Sequence, residues 1–157
     1  MNKSELVVEN EIRKLISEKV IPLCYDNSVA IEMMEKKTVS DIVIFRNTPV
    51  PRMFLIEVKS YKSTNGRIGF GGKGEGIQPE ILIKRPKYLE EHMRWVFCQE
   101  NDDFYYVLTN DECCEYIAGD RIGLDKQNNF RLSLFKNIKP LSESEFIEYV
   151  FEWLRCS

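Results

Sequence analysis

The stretch SDIVIFRNTPVPRMFLIEVKS, residues 40–60, decides the fold because it contains two apolar segments separated by a turn. Residues 40–45 and 53–60 are β-branched and apolar on both faces, which is typical of central strands that are covered on both sides. Between them, NTPVP at 47–51 is rich in residues that interrupt regular structure. The stretch therefore predicts two neighbouring antiparallel strands joined as a hairpin.

The register of this hairpin brings three charged side chains together. A hairpin centred on the middle residue of the turn pairs Val43 with Leu55 and Asp41 with Glu57. Directly opposed residues have Cβ atoms about 5 Å apart, and Lys59, two positions beyond Glu57, points to the same face. We therefore expect Asp41, Glu57 and Lys59 to lie side by side on one face of the sheet.

Two opposed carboxylates on a sheet repel each other unless a cation neutralises them, and Mg²⁺ or Mn²⁺ prefers their oxygens. A bound divalent ion lowers the pKa of water and polarises a phosphoryl oxygen, while Lys59 would orient or deprotonate the attacking water. The pattern thus indicates phosphodiester hydrolysis. The alternative is an ordinary cross-strand cluster in which Lys59 neutralises one carboxylate. Because both acids lie within apolar strands, where an unpaired charge is costly, we favour the functional interpretation.

Hydrophobic periodicity predicts the elements on either side of the hairpin. Val8, Ile12 and Ile16 lie on the apolar stripe of an amphipathic helix over 3–20 that ends at Pro22. The other predicted elements are a strand at 29–34, a glycine-rich loop at 66–76, a mostly helical stretch at 78–100 that Pro86 kinks or divides, a strand at 104–110, an edge strand at 130–135 and a helix from 142. This order predicts one α/β domain over residues 1–157, with a mixed central β-sheet flanked by helices.

The residues around the charged trio resemble a known family. Ser40-Asp41, followed by Glu57-Val58-Lys59 after an amphipathic helix, is similar to the motif of the PD-(D/E)XK nuclease superfamily, with Ser40 at the usual proline. The resemblance implies a restriction endonuclease-like αβββαβ core. It also implies that Asp41, Glu57 and the backbone carbonyl of Val58 bind the metal. Lys59 would then serve catalysis.

The resemblance covers roughly residues 5–110 and implies two further site residues. Members similar to Holliday-junction resolvases, Mrr-type restriction enzymes and RecB-like nucleases add a glutamate on the first helix. Glu9 fits that spacing best as a metal ligand, with Glu5 and Glu11 as the other candidates, and solvated helix charges are the alternative. Several members place a glutamine at the start of the next helix, where Gln78 stands here; a helix cap or a solvent-facing residue is the alternative.

The glycine-rich loop carries cations close to the predicted site. Its GFGGKG segment satisfies G-x-G-x-x-G, but it does not open a helix directly, so it does not predict a dinucleotide site. Lys62, Arg67 and Lys73 are candidates for contacts with a DNA backbone, and an ordinary surface loop with solubilising charges is the alternative. Because the net charge is −3, any DNA contact requires such a local basic surface.

The composition narrows the other classes of function. With 157 residues, 43% of them hydrophobic, the chain suits one domain, and no apolar run approaches the ~20 residues that cross a bilayer. Five cysteines without a C-x-x-C pair, and a single histidine, give little support for a zinc site. Residues 1–16 place glutamates where a secretory signal needs an apolar stretch, so we expect a cytoplasmic protein without a membrane partner.

The sequence thus predicts a Mg²⁺- or Mn²⁺-dependent DNA endonuclease that acts in restriction, phage defence or repair. Because the domain is small and a duplex cut needs two sites, the family resemblance implies a homodimer. One alternative is a catalytically inactive nuclease-like fold that serves as a binding or assembly module. Another is an unrelated α/β domain whose acidic hairpin is accidental.

Overall fold

A five-stranded mixed sheet with helices on both faces forms the centre of the protein, which confirms the predicted α/β class. The computed structural model describes residues 5–34, 40–62, 67–69, 77–99, 102–117 and 129–157. The strands in these ranges are β1 (Ile31–Met33), β2 (Ile42–Arg46), β3 (Arg52–Tyr61), β4 (Arg67–Gly69), β5 (Met93–Gln99), β6 (Tyr106–Leu108) and β7 (Asn129–Arg131).

The helices divide between the two faces of the sheet. Within the described ranges they are α1 (Glu5–Leu15), a π-helical turn (Ile16–Val20), α2 (Ile21–Asp26), α3 (Ile77–Lys84), α4 (Lys87–His92), α5 (Asn110–Ile117), a 3₁₀-helix (Leu132–Asn137) and α6 (Glu143–Cys156). None of these helices has the length and apolar character needed to cross a membrane.

The order of strands in the sheet is β1-β2-β3-β5-β6. Only β3 and β5 run parallel, and the other neighbours in this sheet pair antiparallel. Strands β4 and β7 form a separate two-stranded antiparallel sheet. Strand β3 therefore lies at the centre of the main sheet, where its charged residues are surrounded by apolar neighbours.

The hairpin formed by β2 and β3 has the predicted register. Val43 pairs with Leu55, and Ile42 pairs with Ile56. One step further along the ladder, Asp41 lies next to Glu57. The turn residues at 47–51 thus set the register, and the register decides which charged side chains meet.

Alternation along β3 separates two hydrophobic cores. Ile56 and Val58 face a core that is built with α1 and α6, whereas Leu55 and Tyr61 face a second core on the opposite side of the sheet. That second core includes buried residues of α3 and α5: Ile81, Leu82, Cys113 and Cys114. Glu57 and Lys59 share the parity of Leu55 and Tyr61, so they point to the α3 side.

The prediction of helix over 78–100 is wrong at its end, because residues 93–99 form strand β5. Pro86 does divide the helical part, since α3 ends before it and α4 begins directly after it. Trp95, Val96 and Phe97 are all buried because β5 is covered on both faces. Such a strand lacks the alternation that distinguishes strands from helices in a sequence.

The prediction that the first helical region ends at Pro22 is wrong, because this region continues to Asp26. The π-helical turn carries the chain into α2, and Pro22 lies in the first turn of that helix. A proline is tolerated there because the first backbone N–H groups of a helix need no intrahelical acceptor.

Three further predictions need correction. The segment 66–76 is not all loop, because residues 67–69 form β4, while 66 and 70–76 lie outside the described residues. The predicted strand at 130–135 is shorter: β7 ends at Arg131, and a 3₁₀-helix follows. The predicted strand at 104–110 includes β6, but Asn110 already begins helix α5. The strand predicted at 29–34 and the helix predicted from 142 are confirmed as β1 and α6.

Candidate active site

Asp41 and Glu57 lie next to each other on two hydrogen-bonded strands, and both are buried. Asp41 directly precedes β2 and is 7% exposed, whereas Glu57 lies within β3 and is 6% exposed. Two acids in adjacent buried positions repel each other and lose hydration. The contacts around them show how the protein holds both side chains in place.

Each carboxylate accepts a hydrogen bond from the backbone of the other strand. The amide of Val58 donates to Asp41 Oδ2 at 2.8 Å, and the amide of Asp41 donates to Glu57 Oε2 at 3.3 Å. This reciprocal pair of bonds fixes both side chains between β2 and β3. The two carboxylates therefore form one preorganised acidic pair.

Burial raises the pKa of Glu57 from its ordinary value of 4.5 to about 7, and the negative charge of Asp41 adds to this shift. Hydrogen bonds from Ser40 and the Asp41 amide, and the charge of Lys59, act in the opposite direction. Glu57 therefore holds a proton more strongly than an ordinary glutamate. A cation bound beside it would favour release of that proton.

Ser40, the residue before Asp41, contacts Glu57. Its Oγ lies 2.9 Å from Glu57 Oε2 and 2.8 Å from the carbonyl oxygen of Ile56. A hydroxyl carries one hydrogen, so when Ser40 donates to Ile56, a protonated Glu57 can donate to Ser40. Ser40 thus stabilises Glu57 in either protonation state.

Lys59 and Gln78 complete the surroundings of Glu57. Lys59 is half-buried two residues beyond Glu57 on the same face of β3, and its positive charge lowers the pKa of Glu57. Gln78 reaches the site from α3, where its Nε2 donates to Glu57 Oε1. The structure therefore brings together the predicted residues Asp41, Glu57, Lys59 and Gln78.

One of the three candidate glutamates of α1 is buried. Glu9 is 3% exposed, whereas Glu5 and Glu11 are exposed to solvent. Arg13 connects Glu9 to the acidic pair, because its guanidinium lies 3.5 Å from Glu9 Oε1 and donates to the carbonyl oxygen of Asp41 at 2.5 Å. Among the three candidates, Glu9 is therefore the buried one, and it contacts the arginine that binds the backbone of Asp41.

The predicted basic residues lie beyond the end of β3. Lys62 is exposed directly after the strand, and Arg67 is the first residue of β4. Lys73 lies outside the described residues. Lys62 and the start of β4 thus follow the strand that carries Glu57 and Lys59.

Known proteins add no family to this geometry. No family model matches the sequence, and no curated protein matches it. A function for this chain therefore rests on its own contacts and charges.

The donor atoms of the site fit a hard divalent cation. Asp41 and Glu57 supply carboxylate oxygens, which are the ligands that Mg²⁺ and Mn²⁺ prefer. Across the described ranges, no three His, Cys, Asp or Glu side chains lie close enough to enclose a metal. Mg²⁺ commonly uses one or two carboxylates and keeps several waters, so two carboxylates satisfy its needs.

Ser40 and Arg13 are two residues of this site that the sequence did not single out. In the sequence, Ser40 is visible only as a replacement for the proline that is usual in the motif it resembles. Arg13 had a signal, because it follows Glu9 by four residues and so lies on the same face of α1. Its bond to the Asp41 carbonyl joins residues 28 positions apart, which no local pattern reveals.

Because of Glu57, we expect the free energy of unfolding to fall as the pH rises from about 4.5 to about 7. The folded state holds a proton that the unfolded chain releases at lower pH, so rising pH favours the unfolded chain across this window. The full effect is on the order of 3 kcal/mol. Glu57→Gln, which cannot ionise, would remove it. Urea unfolding in EDTA at both ends of the window measures this contribution as the difference between variant and wild type.

The exposed Glu18 provides the matched control for this measurement, since Glu18→Gln should keep the pH dependence of the wild type. An identical pH dependence in wild type and Glu57→Gln would show that Glu57 does not carry the proton.

Proposed function

We propose that this chain is a metal-dependent nuclease that hydrolyses phosphodiester bonds of DNA in restriction, phage defence or repair. The observation that supports this most strongly is the acidic pair of Asp41 and Glu57, buried between β2 and β3 with Lys59 beside it. Two buried carboxylates side by side destabilise the fold unless a bound cation neutralises them. Their presence therefore favours a functional site.

The site would hold Mg²⁺ or Mn²⁺ through Asp41, Glu57 and the backbone carbonyl of Val58, with Glu9 as a further ligand. Bound there, the ion would supply Lewis-acid chemistry toward a phosphate and a water molecule. The burial of both carboxylates favours this, because charges removed from bulk water interact more strongly with a cation. Gln78 would keep the Glu57 side chain in its position through the bond to Oε1.

Lys59 would act on the reacting phosphate. Lys59 lies two residues beyond Glu57 on β3 and so points to the same face, where its ammonium group would orient the attacking water and offset negative charge during in-line attack. A positive group is needed there because the phosphoryl oxygens gain charge as the new bond forms. Asp41 and Glu57 repel a phosphate themselves, so they would position it relative to Lys59 only through a cation that they hold.

DNA would approach the end of β3 that is followed by Lys62. Lys62, Arg67 and Lys73 would contact backbone phosphates, since phosphate contacts position a duplex without reading its sequence. A homodimer of this small domain would supply one site for each strand.

The direct test is cleavage of supercoiled plasmid DNA by the purified chain. We expect nicked and linear products with Mg²⁺ or Mn²⁺ and none with EDTA, because the acidic pair needs a cation to act on a phosphate. Gel electrophoresis of a time course measures this. Failure to cleave supercoiled, linear or single-stranded DNA with either ion would overturn the proposal.

One observation favours the alternative of an inactive binding or assembly module. Ser40, Gln78 and two backbone amides already donate to the acidic pair, so the protein itself satisfies oxygens that a cation would use. An inactive module of this kind would bind Mn²⁺ weakly or not at all and leave plasmid DNA intact. Calorimetric titration with Mn²⁺, combined with the cleavage assay, separates the two functions.

A further inference from the structure

Arg13 on α1 joins three parts of the molecule that meet at the candidate site. Its Nη2 donates to the carbonyl oxygen of Asp41 at 2.5 Å, and its Nη1 donates to the carbonyl oxygen of Met34 at 2.9 Å. Met34 follows β1 and Asp41 precedes β2, so one guanidinium holds both ends of the connection between these strands.

We propose that Arg13 is a positioning residue that fixes the backbone of Asp41 relative to α1 and thereby holds the acidic pair in the geometry that a divalent cation needs. This inference rests on the proposed function and deepens it, since it names the residue that joins the helix to the strands. Neither the sequence motif nor the family resemblance pointed to Arg13.

The distances show which contacts of Arg13 are firm. The two bonds to backbone carbonyls are 2.5 and 2.9 Å long, whereas Arg13 Nε lies 3.5 Å from Glu9 Oε1. Two hydrogen bonds to backbone carbonyls therefore hold the guanidinium, and its contact with Glu9 is longer.

Burial makes these contacts effective. The side chain of Arg13 is 16% exposed and that of Glu9 is 4% exposed, so water competes little for their hydrogen bonds. Arginine suits this role because its planar guanidinium donates in several fixed directions at once. A lysine at position 13 keeps the charge but cannot hold two carbonyls and a carboxylate in the same geometry.

The backbone of residue 41 must be fixed for its carboxylate to stay in place. Asp41 Oδ2 accepts from the Val58 amide, and the Asp41 amide donates to Glu57. When Arg13 no longer holds the Asp41 carbonyl, we expect this acidic pair to lose its fixed geometry. The site would then bind a cation less tightly but would keep its reacting groups.

The first measurement is Mn²⁺ affinity by calorimetric titration. We expect Arg13→Lys to weaken Mn²⁺ binding about tenfold or more, as removal of residues that orient metal ligands generally does. Lys14→Ala is the matched control, since Lys14 is the next residue and is exposed.

The second measurement needs no metal. Hydrogen exchange of the Val58 amide in EDTA reports on its bond to Asp41, so we expect faster exchange at Val58 in Arg13→Lys. The Val96 amide in β5 should exchange as in the wild type. Arg13→Gln provides a second variant with less charge and similar size, should Arg13→Lys fold poorly.

Unchanged Mn²⁺ affinity and unchanged exchange at Val58 in both variants would overturn the role of Arg13. So would equal loss of protection at Val58 and Val96, because that result describes a general loss of stability. Binding and cleavage are separate readouts. If the wild type binds Mn²⁺ but cleaves no DNA, the proposed function fails, while the affinity difference still decides the role of Arg13.

Discussion

Lys59→Ala is expected to lower the rate of Mg²⁺-dependent DNA cleavage about a thousandfold while the protein remains folded. Lys59 is half-buried on the same face of β3 as Glu57. Its ammonium group can face a phosphate, and being positive it does not bind the cation itself. Removing it would leave the cation ligands in place. Cleavage rates under single-turnover conditions measure the loss.

Two comparisons make this result specific to position 59. Lys19→Ala removes a lysine that is exposed on the π-helical turn, and it should cleave DNA like the wild type. Lys59→Arg keeps the charge but changes its shape, so we expect an intermediate rate. Cleavage by Lys59→Ala at the rate of the wild type would exclude Lys59 from catalysis.

Lys59→Ala should also raise the pKa of Glu57 in the absence of metal. The charge of Lys59 lowers the pKa of Glu57, so its removal raises that pKa further. Mn²⁺ must then displace a more tightly held proton, and its apparent affinity at neutral pH should fall moderately. A drop in affinity that disappears at higher pH would identify this electrostatic cause.

The hairpin was the most predictable part of the fold because its information is local. Two apolar strands and a short turn determine the register, and the register alone places Asp41 beside Glu57. Nothing distant in the sequence is needed for that pairing. The contacts of the acidic pair with backbone amides follow from the same ladder.

Strand β5 could not be recognised in the same way. It is a central strand, parallel to β3, so Trp95, Val96 and Phe97 are buried on both faces and show no alternation. It also follows α4 without a break, so the apolar pattern of the helix continues into the strand. Only its partner in the sheet, which is distant in sequence, makes this segment extended.

Helix α5 had a signal in the sequence that was overlooked. Thr109 Oγ1 accepts from the Glu112 amide at 3.2 Å, and Glu112 Oε1 accepts from the Thr109 amide at 3.2 Å. This is a capping box, which a threonine followed three residues later by glutamate predicts. The apolar run before Thr109 favoured a strand and concealed the start of the helix.

The outer residues of the site differ in how far the sequence pointed to them. Gln78 and Glu9 were named through the family resemblance, and the structure places Gln78 against Glu57 and buries Glu9. Arg13 acts through a backbone carbonyl, which any residue possesses, so no residue pattern marks its partner. Contacts of this type become visible only when helix and sheet are packed together.

Asp41→Asn is expected to abolish the stabilisation that Mn²⁺ gives the wild type and to raise the stability of the metal-free protein. Asparagine keeps an oxygen that accepts from the Val58 amide, so the local geometry is retained. It removes the negative charge that acts on Glu57, which relieves repulsion inside the pair. Urea unfolding with EDTA and with Mn²⁺ measures both effects.

The loss of Mn²⁺-dependent stabilisation in Asp41→Asn should be large. An ion present at about a hundred times its dissociation constant stabilises a folded protein by about 2.7 kcal/mol. Asp103→Asn removes an exposed carboxylate elsewhere on the chain and should respond to Mn²⁺ like the wild type. If Asp41→Asn is stabilised by Mn²⁺ as strongly as the wild type, the ion binds elsewhere and the acidic hairpin has no role in binding it.

Asp41→Asn is expected to raise stability in EDTA and to lower it in Mn²⁺. These opposite changes distinguish a binding site from a structural cluster. A carboxylate that serves the fold alone stabilises it with or without metal, so its replacement destabilises the protein in both conditions. A carboxylate kept for a cation destabilises the fold until the cation binds, because the charge of Asp41 opposes that of the neighbouring Glu57. Asp41→Asn should therefore be more stable than the wild type in EDTA and less stable than it in Mn²⁺. A variant that is less stable in both conditions would identify Asp41 as a structural residue of the hairpin.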